Sequence, residues 1–280
     1  MPAAGDASFF TDLPPEAARL LLALLCAHFF VDFVLQTDRE ARAVERLERG
    51  VIARHAALHA IAPAVVAFPL PGVWLPGFAI AIGVSHGVID AFKSLVLRAL
   101  CAAPTQRPVA RWLTVFAVDQ LLHVAVIAAL VCLIPAGAID PWWMWDAATG
   151  IKSGLLVVAL GFLLSVPVGG VVIGRMTMPF DHQIRLRGWK TGDKTGGLRD
   201  GGRTIGLLER TVIYFLVVSG NPGGVGFLIA AKSIFRFGEL RDRANRMEAE
   251  YFLIGTLMSF AWAVAVSVAA VWLLERLPAG

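Results

Sequence analysis

The amino-acid sequence predicts an all-α integral membrane protein, a polytopic helical bundle of about eight transmembrane or re-entrant helices. Three observations carry this expectation. Hydrophobic residues fill 57% of the 280 positions and charged residues only 16%, a composition foreign to soluble domains. The apolar residues gather into runs of about 20, the length a helix needs to cross the hydrocarbon core. Lys and Arg occupy alternate connections between those runs, the pattern that sets orientation in a bilayer.

The runs cover roughly 17–37, 51–70, 74–98, 110–134, 148–174, 204–220, 223–238 and 248–275. Before the first, Met1 to Glu16 is acidic and Pro-rich and lacks the basic region of a cleaved signal, so the first helix is expected to direct its own insertion. Arg39, Arg42, Arg46, Arg49 and Arg54 separate the first two runs, and Lys93, Arg98, Arg107 and Arg111 follow the third. Arg175, Arg185, Arg187, Lys190, Lys194, Arg199 and Arg203 follow the fifth, and Arg241, Arg243 and Arg246 the seventh. The connections at 69–77, 135–150 and 219–224 contain no Lys or Arg. Eight crossings with both termini outside and the basic loops in the cytoplasm satisfy this alternation. Trp74, Trp142, Trp143, Trp145 and Trp272 then fall at the outer interface and Trp112 at the inner one.

The sixth and seventh runs are short and carry Glu209, Arg210, Lys232 and Arg236 around the turn Gly220-Asn221-Pro222-Gly223-Gly224. They form either two short spans or one re-entrant hairpin. The segment 175–203, with Gly188, Gly192, Gly196, Gly197, Gly201 and Gly202 among basic residues, is expected to be a cytoplasmic loop against anionic lipid. It is not a phosphate-binding loop, because Asp193 stands where that motif needs Gly before its Lys. These features divide the chain into a four-helix bundle at 1–135 and C-terminal helices with the Gly-rich loop at 136–280. Cys26, Cys101 and Cys132 lack CxxC spacing and are expected to be small core residues, and the modest charge of +4 gives no footprint for nucleic acid.

The chemistry gathers in the first half. Five of the six histidines lie in the first four runs, and each run holds a pair four residues apart: His28/Asp32, His55/His59, His86/Asp90 and Asp119/His123. Residues at i and i+4 share a helix face, so each pair can address one centre. With alternating helix directions, Asp32, His55, Asp90 and Asp119 fall in one layer, and His28, His59, His86 and His123 in a second about 6 Å deeper. An unpaired Asp at mid-bilayer costs about 2.5–3.5 kcal/mol on insertion scales. The nearest basic residues, Lys93 and Arg54, are read as too distant to compensate, so one or two divalent metal ions (zinc, iron or manganese) are expected among these eight ligands. A single such pair is ordinarily a hydrogen-bonding contact between helices; four on successive helices are not. Gln36, Thr37, Ser85 and Gln120 stand beside the pairs and are candidates to orient them.

The runs His28-Phe-Phe-Val-Asp32-Phe-Val-Leu-Gln36, Ser85-His86-Gly-Val-Ile-Asp90 and Asp119-Gln120-Leu-Leu-His123 resemble the bacterial membrane family catalogued as domain of unknown function 3307. So do Gly202-Arg203-Thr-Ile-Gly206-Leu-Leu-Glu209-Arg210, the stretch Ala230 to Glu239, and Glu250 to Thr256. The resemblance implies a multi-pass protein of the bacterial inner membrane and brings no established activity. A looser similarity links the His-xxx-Asp pattern to membrane-bound metal-dependent hydrolases. The leading expectation is therefore a hydrolase acting on a lipid-linked or amphipathic substrate, with one of Asp32, Asp90 and Asp119 serving as base. A metal-ion or proton transporter or channel, and a di-iron oxidase, use the same ligands. Arg210, Lys232 and Arg236 are candidates to hold a lipid phosphate, and membrane lipids are the expected partners.

The charge alternation makes a direct prediction. Single cysteines placed at 42 and 199, in a background without the native cysteines, should resist an impermeant reagent added outside intact cells and react after lysis; labelling of both from outside would reverse the orientation.

Overall fold

The computed structural model describes residues 13–66, 75–100, 108–135, 138–139, 153–186, 201–236 and 246–276. Without water to bond the backbone, a chain in lipid must satisfy its N–H and C=O groups internally, and the described residues do so with helices and no strands. The first helix, α1, runs Pro15–Leu35 and changes from α to π geometry at Val31–Leu35. Then come α2 (Asp38–Glu45), α3 (Arg49–Val66), α4 (Leu75–Leu100) and α5 (Val109–Cys132). Helix α6 joins Ser153–Leu163, a π segment Leu164–Val168 containing Pro167, and Gly169–Leu186. The series closes with α7 (Gly201–Val218), α8 (Gly223–Arg236) and α9 (Arg246–Arg276).

Five of these are long and apolar enough to cross a membrane: α1, α4, α5, the stretch Ser153–Asp181 of α6, and Glu250–Arg276 of α9. Helices α3, α7 and α8 are formed where the sequence places its second, sixth and seventh runs, but they are not among the five. Arg49, Arg54 and two histidines reduce the apolarity of α3, Arg203, Glu209 and Arg210 that of α7, and α8 has only 14 residues.

Three sequence expectations are corrected. The basic connection after α1 contains a helix, α2, begun by a capping box in which Thr37 Oγ1 accepts from the Glu40 backbone N–H and the Glu40 carboxylate accepts from the Thr37 backbone N–H. The supposed loop 175–203 is helical over 175–186 and again from 201, because α6 continues past its apolar stretch and Thr177 Oγ1 donates to the Ile173 carbonyl along the way. Cys132 is exposed at the end of α5 instead of buried, while Cys26 donates to the Leu156 carbonyl at 3.4 Å. Cys101, Trp74, Trp142, Trp143, Trp145, the Gly-rich stretch 187–200, the basic residues at 241 and 243, and the side chain of Arg236 lie outside the described residues.

The described helices fall into two compact units, one ending at Leu160 and one spanning Gly161–Arg276. In the first, α1 is central. Its leucines at 20, 21, 22, 24 and 25 are all buried, so apolar residues cover its whole circumference. Helix α3 packs on α1 and α4, and α4 packs on α5. Around α4 the polarity is inverted: His86, Asp90 and Ser94 face inward, while Ile80, Val84, Val88, Phe92 and Leu95 are exposed. Apolar outside and polar inside is the arrangement a lipid solvent selects. In the second unit α9 packs on α6 and α7, and Ile213, Val225, Phe260 and Ala263 form the core between α7, α8 and α9.

Close approach of α3 and α4 depends on small residues. A Cβ at Gly83 would lie 2.7 Å from the Ala56 carbonyl oxygen and 2.8 Å from the Ala60 Cβ, and one at Gly87 would lie 3.2 Å from the Ala56 Cβ. Gly83→Ala is therefore expected to destabilise the unit by about 1–3 kcal/mol. Gly77→Ala, at a position with open space, should be nearly neutral. Thermal unfolding of both variants in detergent checks this, and equal melting temperatures would contradict it.

Candidate metal centre

The π turn that ends α1 delivers the first carboxylate. It closes with the Gln36 N–H donating to the Val31 carbonyl, five residues back, and places Asp32 one turn beyond His28. Asp32 Oδ1 lies 2.8 Å from His59 Nε2 and 3.0 Å from His55 Nε2, both on α3. His86 Nε2 lies 3.5 Å from the same oxygen, and His28 Nε2 lies 3.7 Å from Oδ2. Ligands held 2.0–2.1 Å from a tetrahedral metal stand about 3.3 Å apart, so these separations bracket such a shell.

All eight residues singled out from the sequence are brought together, in three overlapping groups: His28, Asp32, His59 and His86; His55, His86 and Asp90; and Asp90, Asp119 and His123. Within each group the ligand atoms lie within 4.8 Å of one another. The histidine layer is tight. The rings of His59 and His86 stack at 3.4 Å, His86 and His123 are 4.2 Å apart, and His28 lies 5.0–5.5 Å from His59, His86 and His123.

Several polar atoms here are buried without a hydrogen-bond partner among the described residues: His28 Nε2, both ring nitrogens of His86, His123 Nε2 and Asp119 Oδ1. Each orphaned group costs about 1–3 kcal/mol, so their concentration at one point calls for an occupant. His123 shows how the ring is prepared. Its Nδ1 donates to the Asp119 backbone carbonyl at 2.9 Å, which leaves the lone pair on the buried Nε2.

The structure overturns one premise of the sequence reading. Lys93 is not too distant: its Nζ donates to Asp90 Oδ1 at 2.7 Å and to Asp119 Oδ2 at 3.1 Å. Residues at i and i+3 share a helix face, and the flexible stem folds the ammonium back over one turn to bridge two helices. Lys93 is the functional group that sequence reasoning set aside, and its spacing from Asp90 was the signal. Only Asp32 is left without a fixed cation.

Of the candidate orienting residues, Gln120 donates to Asp119 Oδ2 at 3.0 Å, and the Gln36 amide nitrogen lies 3.2 Å from His55 Nε2. Ser85 instead bonds its own helix at the Ile82 carbonyl, and Thr37 caps α2. A recess lined by Leu35, Gln36, Glu40, Val51, Arg54, His55 and Leu58 reaches the cluster at His55. On the opposite side, Leu20, Leu21, Leu24, Leu25, Phe78, Ile82, Ile127 and Val131 form a continuous apolar core. In the second unit, Arg210 is buried and Lys232 pairs with Glu209.

Residues 20–142 match the family described as "Protein of unknown function (DUF3307)", a stretch that holds all eight cluster residues and Lys93. The resemblance read at 202–256 lies beyond the matched residues. No curated protein matches the chain, and no solved structure does.

Lys93→Met would leave two buried carboxylates facing each other, and removal of one partner from a buried pair costs about 3–5 kcal/mol. The double variant Lys93→Met/Asp119→Asn should recover much of that loss. Denaturation of the single and double variants tests the bridge, and a Lys93→Met protein as stable as wild type would contradict it.

Proposed function

We propose that the domain this chain holds at residues 20–142, a member of the DUF3307 family, is a membrane-embedded hydrolase that uses one divalent cation. The observation that carries this reading is the convergence of Asp32, His28, His59 and His86 at ligand spacing, beside buried nitrogens that no described residue satisfies. A nitrogen-rich set with one carboxylate suits zinc, iron or manganese over magnesium or calcium.

Charge supports a single ion. Three carboxylates and the Lys93 ammonium leave two negative charges with neutral imidazoles, and one divalent cation cancels them. A second would leave an excess of two positive charges buried in lipid, which is costly. Lys93 therefore takes the place of a second metal between Asp90 and Asp119.

A cation at Asp32 supplies Lewis acidity and makes water a nucleophile at neutral pH. The chain's own groups supply the proton handling. His55, whose Nε2 lies beside Asp32 Oδ1 at the end of the recess, fixes that carboxylate and stands where substrate arrives. Lys93 keeps its proton between two carboxylates and holds them in place, and Asp90 or Asp119 can receive a proton. The recess is small and combines Leu35, Val51 and Leu58 with an Arg54–Glu40 ion pair, so an anionic substrate group would have to take the place of Glu40 on Arg54.

The closed apolar side favours an enzyme over a transporter, because a conduit needs polar steps on both sides of the site. In the same reading α3, α7 and α8 also traverse or enter the bacterial inner membrane, the basic connections face the cytoplasm, and substrate enters from that side.

The test is turnover in detergent, without a gradient, on phospho- and acyl-lipid panels after loading with zinc, iron(II) or manganese. Asp32→Ala and His59→Ala should each lower the rate by about 100-fold or more. Metal flux through reconstituted vesicles that His86→Ala abolishes, with no hydrolysis in detergent, would replace the enzyme by a transporter.

A further inference from the structure

The second unit buries a cation that no carboxylate among the described residues bonds. Arg210, at the middle of α7, is only 3% exposed. Its Nε donates to the Val166 carbonyl in the π segment of α6 at 3.2 Å, and its Nη1 donates to Ser259 Oγ on α9 at 3.1 Å. Both acceptors are neutral. The adjacent carboxylate, Glu209, is taken by Lys232, and no carboxylate among the described residues pairs with Arg210. Guanidinium stays protonated in any protein setting, so a buried one without an anion is an uncompensated charge.

Glycines of α6 and α7 pack directly against the Arg210 side chain, with Trp262 beside Gly169. A Cβ at Gly170 would lie 3.1 Å from Nη2, one at Gly206 3.2 Å from Nη1, and one at Gly169 3.2 Å from Cδ. Two helices thus present bare backbone to the terminal nitrogens, and Nη2 donates to no described residue. Ser165, next to the carbonyl that holds Nε, is fully buried with its hydroxyl unpartnered.

We propose that Arg210, opened by Gly170 and Gly206, is a binding site for a phosphate group, carried either by an anionic phospholipid or by free phosphate. The two terminal nitrogens of Arg match two phosphate oxygens, and Nε and one Nη1 proton remain on Val166 and Ser259 to fix the plane of the fork. This site stands apart from the hydrolase reading, which uses no residue of the second unit.

The full-length protein in detergent is melted with phosphatidylglycerol against phosphatidylcholine, and with inorganic phosphate against chloride at equal ionic strength. Native mass spectrometry counts retained lipid. The wild type should gain roughly 5 °C or more from saturating phosphatidylglycerol or phosphate. A gain from the lipid alone identifies a head group, and a gain from both identifies a general phosphate site. Arg210→Met should lose the gain. Gly170→Ala keeps the charge but crowds Nη2, and should lose most of it, which keeps the test decisive if Arg210→Met does not fold. No gain in the wild type, or an equal gain in wild type and Gly170→Ala, would make Arg210 a structural clamp between α6, α7 and α9.

Discussion

Three carboxylates withdrawn from water among five imidazoles must be neutralised, and the first unit is organised around that requirement. Lys93 meets part of it by bridging Asp90 and Asp119, and the hydrogen bonds of His55 and His59 to Asp32 leave the rest unmet. The charge that remains, together with the unsatisfied nitrogens of His28, His86 and His123, is what a divalent cation would answer. The site is therefore asymmetric. One end is held by a tethered ammonium, and the other gathers His and Asp side chains at metal-ligand spacing.

The packing serves this geometry. Helix α3 can bring His55 and His59 to Asp32 only by lying against α4 at backbone distance, which Gly83, Gly87, Ala56 and Ala60 permit. The π turn of α1 supplies the carboxylate from the end of the most deeply buried helix, so Asp32 is positioned by a rigid element and not a loop. Apolar side chains close the cluster from one side. The capping box of Thr37 and Glu40 and the bond from Ser94 to the Val44 carbonyl fix α2 beside the recess on the other.

Helical periodicity made the candidate site legible. His28/Asp32, His55/His59, His86/Asp90 and Asp119/His123 converge because i and i+4 fall on one face whatever the details of packing. Lys93 escaped because span-finding weighs charge by position along the helix and ignores the reach of a long side chain. Helix α2 carried its signal, Thr37 followed by Glu40, but a search for apolar runs passes over a short amphipathic helix. The π segments left no trace in residue spacing. The burial of Arg210 was equally hidden, since its partners Val166 and Ser259 are more than 40 residues away and one of them is a backbone carbonyl.

Counting bound metal tests the central claim most directly. Protein purified without a metal-binding tag should carry about one transition-metal ion per chain by elemental analysis, the number that neutralises three Asp and one Lys. Asp32→Ala should carry none and Arg210→Met the wild-type amount. Wild-type protein that holds no metal and gains no thermal stability from zinc, iron or manganese would make the cluster a polar network, and two ions per chain would contradict the role assigned to Lys93.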